Sequence, residues 1–506
     1  MFKNALVSVS DKTGLVDFLR PLVAQGLRIV STGGTAKYLL QNDIPVVQVH
    51  EQTGFPEVMD GRVRTLHPRI HIPLLARDEV AEDQELLRSE GLAPFDLVVC
   101  NLYPFAQALT EKNLLGRDLI EYIDIGGPSL LRAAAKSFSR ITVLCDPADY
   151  ERTLQQKNPD EEFRRSLASK VFAHTGAYDA MVAEALGVQP PAPLAVGGNF
   201  VQRLRYGENP QQEAVWYRRS GARIGLHQAT ILQGKELSYN NLLDLDAAVR
   251  AVRCFKERSA AVAVKHNNLC GVGVGGSVGL ALERALRADP VSVFGGIVAM
   301  NGPVDVEMAR RLGDIFLECI VAPHYSDPAL QILANKRNLR VLSWPQMLED
   351  ERAVEVRTIS GGYLAQSQDF ISTWTKEWEI IGAKPSEDLR QAIGLAWKVC
   401  SQLKSNAIAI ADHHLTLGLG MGQVNRVEAV EQAIGRWQQH HPERTNGVVL
   451  ASDAFFPFAD SIEKAAAAGI RWVVQPGGSV RDREVFTKAE ELGVNLVLTR
   501  VRHFRH

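Results

Sequence analysis

Three things are scarce in this 506-residue chain: cysteines in useful spacings, long apolar runs and net charge. Its six cysteines, Cys100, Cys145, Cys254, Cys270, Cys319 and Cys400, form no Cys-x-x-Cys pair and no Cys/His pattern suited to zinc. Neither a disulfide framework nor a metal site is therefore expected, and reduced cytoplasmic thiols account for them. No apolar stretch reaches the roughly 18 residues needed to cross a bilayer. The opening Met1-Phe2-Lys3-Asn4-Ala5-Leu6-Val7-Ser8 turns polar too soon for a signal peptide. A formal charge of -2 leaves no global positive field for nucleic acid or an anionic membrane, so any phosphate that binds must be small and gripped locally.

What is present is ordinary globular material, 46% hydrophobic and 23% charged. The length exceeds what one core can serve, and about two to four domains are expected. From the start, short apolar runs (5–9, 27–31, 95–100, 141–145) alternate with amphipathic segments (15–25, 35–42). That alternation predicts a doubly wound α/β domain with buried parallel strands. The stretch Leu186-Gly187-Val188-Gln189-Pro190-Pro191-Ala192-Pro193 cannot continue a helix or a central strand, which places a domain boundary near 195. Residues 196–506 are too many for one ordinary domain, and a further division is expected near 365–385. An internal echo points to two lobes of related topology: Lys265-His266-Asn267 precedes a glycine run, and Lys404-Ser405-Asn406 precedes Gly418-Leu419-Gly420-Met421-Gly422.

The motif with the most chemistry is Lys265-His266-Asn267-Asn268, directly after the apolar run 260–264 and ahead of the glycine-rich 270–276. Adjacent cationic and titratable groups at a buried strand end predict proton transfer at the carboxyl end of a sheet. In the first domain, Ser31-Thr32-Gly33-Gly34-Thr35 takes a strand through a glycine turn into a helix, whose free amides suit a phosphate. Ser10 and Lys12 would lie at the same edge, and Arg62 and Arg64 of Asp60-Gly61-Arg62-Val63-Arg64-Thr65 could clamp the phosphate. Tyr103 emerges after another buried strand. Asp124 opens a glycine turn before a helix whose Lys136 could reach back to it, giving an acid-base set that needs no metal. Taken singly, each piece also has a structural reading: a tight turn, a helix cap, a core tyrosine with a wet hydroxyl.

The runs SVSDKTGL, STGGTAKYL, TGFPEVMDGRV, TLHPRIH, NLYPF, IDIGGPSLLRAAAKS, RYGENPQQ, QGKELSYNN, KHNNLCG, SVFGGIVAMN, SGGYLAQ, KSNAIAIA, SDAFFPF, QPGGSVRD and VRHFRH extend over nearly the whole chain. Together they resemble the bifunctional AICAR transformylase/IMP cyclohydrolase family of purine biosynthesis. The resemblance implies a methylglyoxal-synthase-like cyclohydrolase domain (1–195), then a transformylase (196–506) of two cytidine-deaminase-like lobes without the deaminase zinc. It implies a cytoplasmic homodimer acting on small molecules and binding neither nucleic acid nor membrane. A formyl group would pass from 10-formyltetrahydrofolate to the amine of aminoimidazole carboxamide ribonucleotide (AICAR), and the formyl product would close to inosine monophosphate. By correspondence, Lys265, His266 and Asn406 serve formyl transfer. Arg205, Tyr206, Lys235, Ser238, Tyr239, Asn240 and Arg502 surround the nucleotide, while Asp453, Phe455, Phe456 and Pro457 wall the folate pocket. A core role is the competing reading for Phe456 and Phe458. Ser10, Lys12, Thr32, Gly34, Thr35, Arg62, Arg64 and Thr65 hold the ribonucleotide for ring closure, and Tyr103, Asp124, Lys136 and Arg64 handle the formamide.

Several positions depart from the family pattern. Arg64 stands where a lysine is usual, Ile72-Pro73 replaces two small residues after His71, and Gln211 replaces a histidine that assists the family's transformylase. Leu269 replaces a proline, Ala459 an arginine, and Met421 and Asn425 an alanine and a serine. Arginine keeps the charge but exchanges a proton poorly near neutrality. Two other readings follow from these departures: a diverged paralogue with one site silent or serving a related heterocycle, and a non-catalytic nucleotide- or folate-binding protein.

Overall fold

The computed structural model describes residues 2–156, 158–188, 192–350 and 354–506. The chain forms two compact units, Met1–Phe200 with Tyr217–Arg223, and Val201–Trp216 with Ile224–His506. Of the expected linker, residues 189–191 lie outside the described residues. No helix among the described residues is long and apolar enough to cross a membrane.

The first unit is built on five parallel strands, β1 (Asn4–Ser8), β2 (Arg28–Ser31), β3 (Val47–Gln48), β4 (Leu97–Cys100) and β5 (Thr142–Leu144). Their order is β3-β2-β1-β4-β5. Among the described residues, ten α-helices accompany them: α1 (Leu15–Val23), α2 (Gly33–Gln41), α3 (Val49–Thr53), α4 (Pro68–Leu75), α5 (Ala81–Ser89), α6 (Phe105–Thr110), α7 (Gly116–Ile120), α8 (Gly126–Lys136), α9 (Tyr150–Leu154) and α10 (Glu161–Ala185). Both faces of the sheet are covered, which is why β4 reads as an unbroken apolar run. On β1, Ala5 and Val7 pack with Leu15, Phe18 and Leu39, while Leu6 points to the opposite core with Ile70, Leu130 and Val171. The strand order reverses between β1 and β4, and the carboxyl ends meeting there form the crevice where doubly wound sheets bind ligands.

A ribbon of β6 (Gly198–Leu204) and β7 (Ala214–Arg219) holds the division between the units. The second unit contains two six-stranded sheets of one topology. In the first, β8 (Thr230–Gln233), β9 (Ser259–Lys265), β10 (Asn268–Gly275), β11 (Ile297–Met300), β12 (Cys319–Ala322) and β13 (Arg340–Ser343) take the order β10-β9-β11-β12-β13-β8. After the ribbon β14 (Val354–Ile359) and β15 (Gly362–Ser367), the second sheet comprises β16 (Glu379–Ile381), β17 (Ile408–Ala411), β18 (Thr416–Gly420), β19 (Val449–Ser452), β20 (Trp472–Gln475) and β21 (Asn495–Leu498). Its order, β16-β21-β20-β19-β17-β18, repeats the first with the same parallel and antiparallel pairings. Helices α11 (Tyr239–Arg253) and α15 (Glu387–Cys400) fill the core shared by the sheets. On the outer faces lie α12 (Val278–Ala288), α13 (Val306–Asp314) and α14 (Asp327–Leu333) for the first sheet, and α16 (Arg426–His440), α17 (Asp460–Ala467) and α18 (Asp482–Glu491) for the second.

The two lobes explain the sequence echo, but only half of it is equivalent. A Cβ on Gly271 or Gly273 of β10 would stand 2.2 Å from the carbonyl oxygens of Ala285 or Ala281 on α12. On Gly418 or Gly420 of β18 it would stand 2.1 or 1.9 Å from those of Ala433 or Ala429 on α16. These glycines let a helix lie against its strand, so the glycine run after the Lys-His pair is packing and not part of a catalytic loop. The Lys-x-Asn halves are not counterparts: Lys265 ends β9, whereas Asn406 precedes β17. The counterpart of the 266–267 turn is the turn through Asp412, His413 and His414.

Candidate active sites

At the carboxyl edge of the first sheet, Asn101 joins the two halves of the crevice. Its Oδ1 accepts from the amides of Ser10 at 2.6 Å and Asp11 at 3.0 Å, and its Nδ2 donates to the Asp11 carbonyl at 2.8 Å. The sequence reading passed over Asn101, although a polar residue directly after a buried strand is its signal. Lys12 Nζ donates to the Ser10 carbonyl at 3.2 Å, so the expected pair does share this edge. The glycine turn begins α2 at Gly33, two residues earlier than expected. Gly34 faces solvent with nothing within 4 Å of a Cβ placed on it. Thr32 and Thr35 are buried: Thr32 Oγ1 lies 3.0 Å from Ser8 Oγ, and Thr35 Oγ1 donates to the Val9 carbonyl at 2.9 Å while accepting its amide at 3.0 Å. Thr35 is thus committed to the strand end. Amides at the start of α2 remain for an anion.

Arg64 lies over this turn. Its guanidinium fills the space where Cβ atoms would be on Gly33 and Gly61, both with positive φ, and it is ion-paired with Glu57. Beside it a cavity of about 260 Å3 is lined by His50, Phe55, Glu57, Arg64 and His67. Arg62 points elsewhere and pairs with Glu121, both exposed, so the expected two-arginine clamp is not formed here. Thr65 is buried, its Oγ1 close against Gly126 at the start of α8. His71 is half-buried, and burial holds its imidazole below the usual histidine range despite a bond to the Thr65 backbone.

Asp124 sits where α8 begins. Its carboxylate accepts from the Gly127 amide at 2.8 Å and the Tyr103 amide at 3.2 Å, while its own amide donates to the Tyr178 hydroxyl at 2.7 Å. Burial raises its pKa against those amide bonds. Tyr103 is 52% exposed and presents its ring outward at the same edge. Lys136 does not join them. It ends α8, ten residues past Gly126, and a rise of 1.5 Å per residue puts it about 15 Å along the axis, beyond the reach of its own side chain.

In the second unit, Lys265-His266-Asn267-Asn268 is a two-residue hairpin turn between β9 and β10, with φ of 52° at His266 and 59° at Asn267. Two left-handed residues match a type I′ turn. Because β9 is antiparallel to β11, the turn lies opposite the carboxyl edge of β11–β13, contrary to the sequence expectation. Asp244 of α11, absent from the sequence reading, holds the turn: its Oδ1 accepts the Asn267 amide at 2.5 Å. Lys265 Nζ donates to the Phe294 carbonyl at 2.7 Å, and the exposed His266 faces outward. At the start of α11, Ser238 is the N-cap in a capping box with Asn241, and Asn240 Nδ2 donates to the Glu208 carbonyl at 3.3 Å. That bond brings the helix start to the loop in which Arg205 stacks on Tyr206, 4.7 Å from its centroid. Tyr239 is half-buried and Lys235 exposed.

Asn406 and Asp453 belong to a buried network. Asn406 Nδ2 donates to the carbonyls of Gln423 at 2.9 Å and Val424 at 3.2 Å, and its Oδ1 accepts from Arg426 at 2.7 Å. Arg426 also pairs with Asp453, which is fully buried and accepts from the Ser405 hydroxyl. The His503 amide donates to the Asp453 carbonyl at 3.0 Å, so the network anchors the C-terminal segment. Asp453 therefore does not line a cofactor pocket, and both polar atoms of Asn406 are engaged. Phe456 is likewise core, 0% exposed, whereas Phe455 and Pro457 are half-buried and Arg502 stacks on Phe504 at 4.6 Å. The edges of β10 and β18 run antiparallel, with Val272 N bonded to Thr416 Oγ1 at 3.0 Å and Gly273 opposite Leu415. The start of β10 and the end of β18 consequently share one end, which brings the 265–268 turn and the Asn406–Gln423 contact to the same side.

The AICARFT/IMPCHase bienzyme family model matches residues 134–436, and the MGS-like domain model matches residues 14–129. A protein of Halalkalibacterium halodurans named "Bifunctional purine biosynthesis protein PurH" is 48% identical over 100% of both chains. One of the same name from Cyanothece sp. is 48% identical over 99% of both, and one from Streptococcus uberis 46% identical over 100% of both. The chain belongs to the AICARFT/IMPCHase bienzyme family.

As a member of that family, the chain carries its departures at places the structure explains. Ile72 and Pro73 lie within α4, not in a loop, with Pro73 buried. Leu269 is buried in β10 opposite Val264, ahead of an irregularity at Cys270. Gln211 is exposed in a turn closed by Gln212, whose Oε1 accepts the Asn209 amide at 2.8 Å.

Proposed function

We infer that this chain catalyses two consecutive reactions of purine biosynthesis, formyl transfer to the 5-amino group of AICAR and dehydrative ring closure of the product to inosine monophosphate. Full-length identity of 48% to a bifunctional purine biosynthesis protein carries this reading, because it spans both catalytic units. The formyl donor is a folate, and we take it to be 10-formyltetrahydrofolate. In the first step the amine nitrogen attacks the formyl carbon and the nitrogen of the folate leaves. An aromatic amine is a weak nucleophile, so its proton must depart as the bond forms. His266, exposed on a fixed turn, is the assigned acceptor, and Lys265 beside it stabilises the developing oxyanion. Asn406 acts through Arg426 and the local backbone instead of touching the reacting atoms.

In the second step the carboxamide nitrogen attacks the formamide carbon. The carbinolamine then loses water, whose oxygen is the formyl oxygen and whose hydrogens come from the two nitrogens. Gly34 offers an amide, Ser10 a hydroxyl and Lys12 charge for the ribonucleotide phosphate, with Arg64 beside them as a fixed cation. Asp124, its pKa raised by burial, and Tyr103 handle the protons at the opposite side of the crevice. The protein is assigned to the cytoplasm as a homodimer, with cyclohydrolase chemistry in 1–195 and transformylase chemistry in 196–506. Incubating it with AICAR and 10-formyltetrahydrofolate and following products by mass spectrometry tests the reading: inosine monophosphate supports both steps, accumulated formyl-AICAR removes the second, and no formylated product removes the first.

A further inference from the structure

Apart from these sites, the second unit carries an open cavity of about 250 Å3 with unbalanced positive charge. It runs along α15 from Glu387 to Lys398, and is bounded opposite by Arg258 and by Val274 near the end of β10. Arg258, Arg390 and Lys398 all line it. Against them stand Glu387 on the rim and Glu257, which bonds Lys398 at 3.4 Å while itself 76% exposed. Neither Arg258 nor Arg390 makes an ion pair among the described residues. Val274 is six residues along β10 from Asn268, about 20 Å at the rise of a strand. The cavity is therefore distinct from the Lys265–His266 turn.

Arg390 is held in place before any ligand arrives. Its guanidinium stacks 3.9 Å from the centroid of Trp374, whose indole N–H donates to the Arg390 carbonyl at 3.2 Å. Trp378 packs against the same indole at 5.0 Å. Trp374 adopts a φ of 56°, a left-handed conformation that bulky residues rarely take, and such strain concentrates at ligand sites. A cation already fixed loses little freedom on binding, and two guanidinium groups can each grip a phosphate through paired N–H donors. α15 is also the topological counterpart of α11, whose start bears the nucleotide residues of the proposed transformylase site.

We propose that this cavity is a second anion site, in which Arg258, Arg390 and Lys398 bind the phosphate of a small phosphorylated ligand of mononucleotide size. Three cations against two carboxylates leave an excess of positive charge for a phosphate, and the open cavity's volume lies just under the roughly 300 Å3 at which small-ligand sites begin. The full-length protein, titrated separately with inorganic pyrophosphate and with inosine monophosphate, is followed by hydrogen–deuterium exchange. Residues 387–398 should gain saturable protection. Protection by both probes assigns recognition to the phosphate alone, and protection by inosine monophosphate alone assigns it to a nucleotide. In Arg258→Gln/Lys398→Gln the dissociation constant read at 387–398 should rise about tenfold or more, with protection of 31–36 and turnover without added probe unchanged. Arg258→Gln alone, on a half-exposed side chain, should give a smaller rise in the same direction. No protection at 387–398 with either probe, or equal protection in the double variant, overturns the proposal.

Discussion

Asp244→Asn separates the geometry of the turn proposed to be catalytic from its chemistry. His266 and Asn267 occupy left-handed conformations, each costing a non-glycine residue about 1–2 kcal/mol. The bond from the Asn267 amide to the Asp244 carboxylate, at 2.5 Å, contributes on the order of 1.5–3 kcal/mol because its acceptor is charged. The two terms are of the same size, so the carboxylate is what keeps the turn in place. Asparagine preserves an acceptor oxygen and loses the charge, a deficit of about 1–1.5 kcal/mol. That is roughly tenfold in the equilibrium constant between ordered and disordered turn. Formyl transfer should therefore slow several-fold, up to about tenfold, with the KM for AICAR little changed and ring closure of supplied formyl-AICAR untouched.

The same carboxylate gives a pH test. Burial holds its pKa above the usual aspartate range, so as pH falls it takes up a proton while a surface aspartate is still charged, and the turn loses its ionised acceptor. Wild-type transfer should fall more steeply at low pH than transfer by Asp244→Asn. For stability the sign is reversed: with the folded pKa above the unfolded one, ionisation on raising the pH favours the unfolded chain. The substitution relieves that cost while weakening a hydrogen bond, so the melting temperature should move little. An unchanged transfer rate, or parallel loss of both activities, would refute the reasoning.

His266→Ala should lower formyl transfer by roughly 10²-fold or more, the loss expected for a general base, and near wild-type turnover at saturating substrates would remove the assignment. Arg64→Lys should change cyclisation only modestly if Arg64 serves as fixed charge beside Gly33; a gain of two orders of magnitude, on the order expected for restored proton transfer, would show that arginine impairs the second step. Gly418→Ala should lower the melting temperature by several degrees, because its Cβ would stand 2.1 Å from the Ala433 carbonyl oxygen and overpacking costs about 1–3 kcal/mol. A fragment ending at residue 223 should melt above one ending at 195. The first unit includes Tyr217–Arg223, where the Ser220 amide bonds the Gly197 carbonyl at 2.9 Å and Arg219 pairs with Glu184; equal melting points would count against that view.

The sequence by itself determined what repeats locally. The apolar runs of β1, β4 and β9, the glycine turn into α2 and the family membership carried by motifs along the whole chain were all legible, since each depends on neighbours in sequence. It also placed Ser10 with Lys12 at one sheet edge and Lys265 with His266 at one strand end, which the structure bears out as positions. The tertiary structure decided which side chains were already spent. Asp453 and Asn406 look like pocket residues in a motif, but the partner that occupies them, Arg426, comes from a helix 20 residues or more away. Lys136 is close to Asp124 in sequence, yet the straight axis of α8 carries it out of reach. Asp244 gave no motif signal, and Asn101 only that of a polar residue after a buried strand, because their part is to hold backbone amides that approach from other elements. In sequence the glycines of β10 and β18 are only runs that follow two Lys-x-Asn motifs, and the tertiary structure shows α12 and α16 lying on them: hydrophobic pattern and turn chemistry are short-range, whereas close packing and buried polar pairing arise only when distant segments meet.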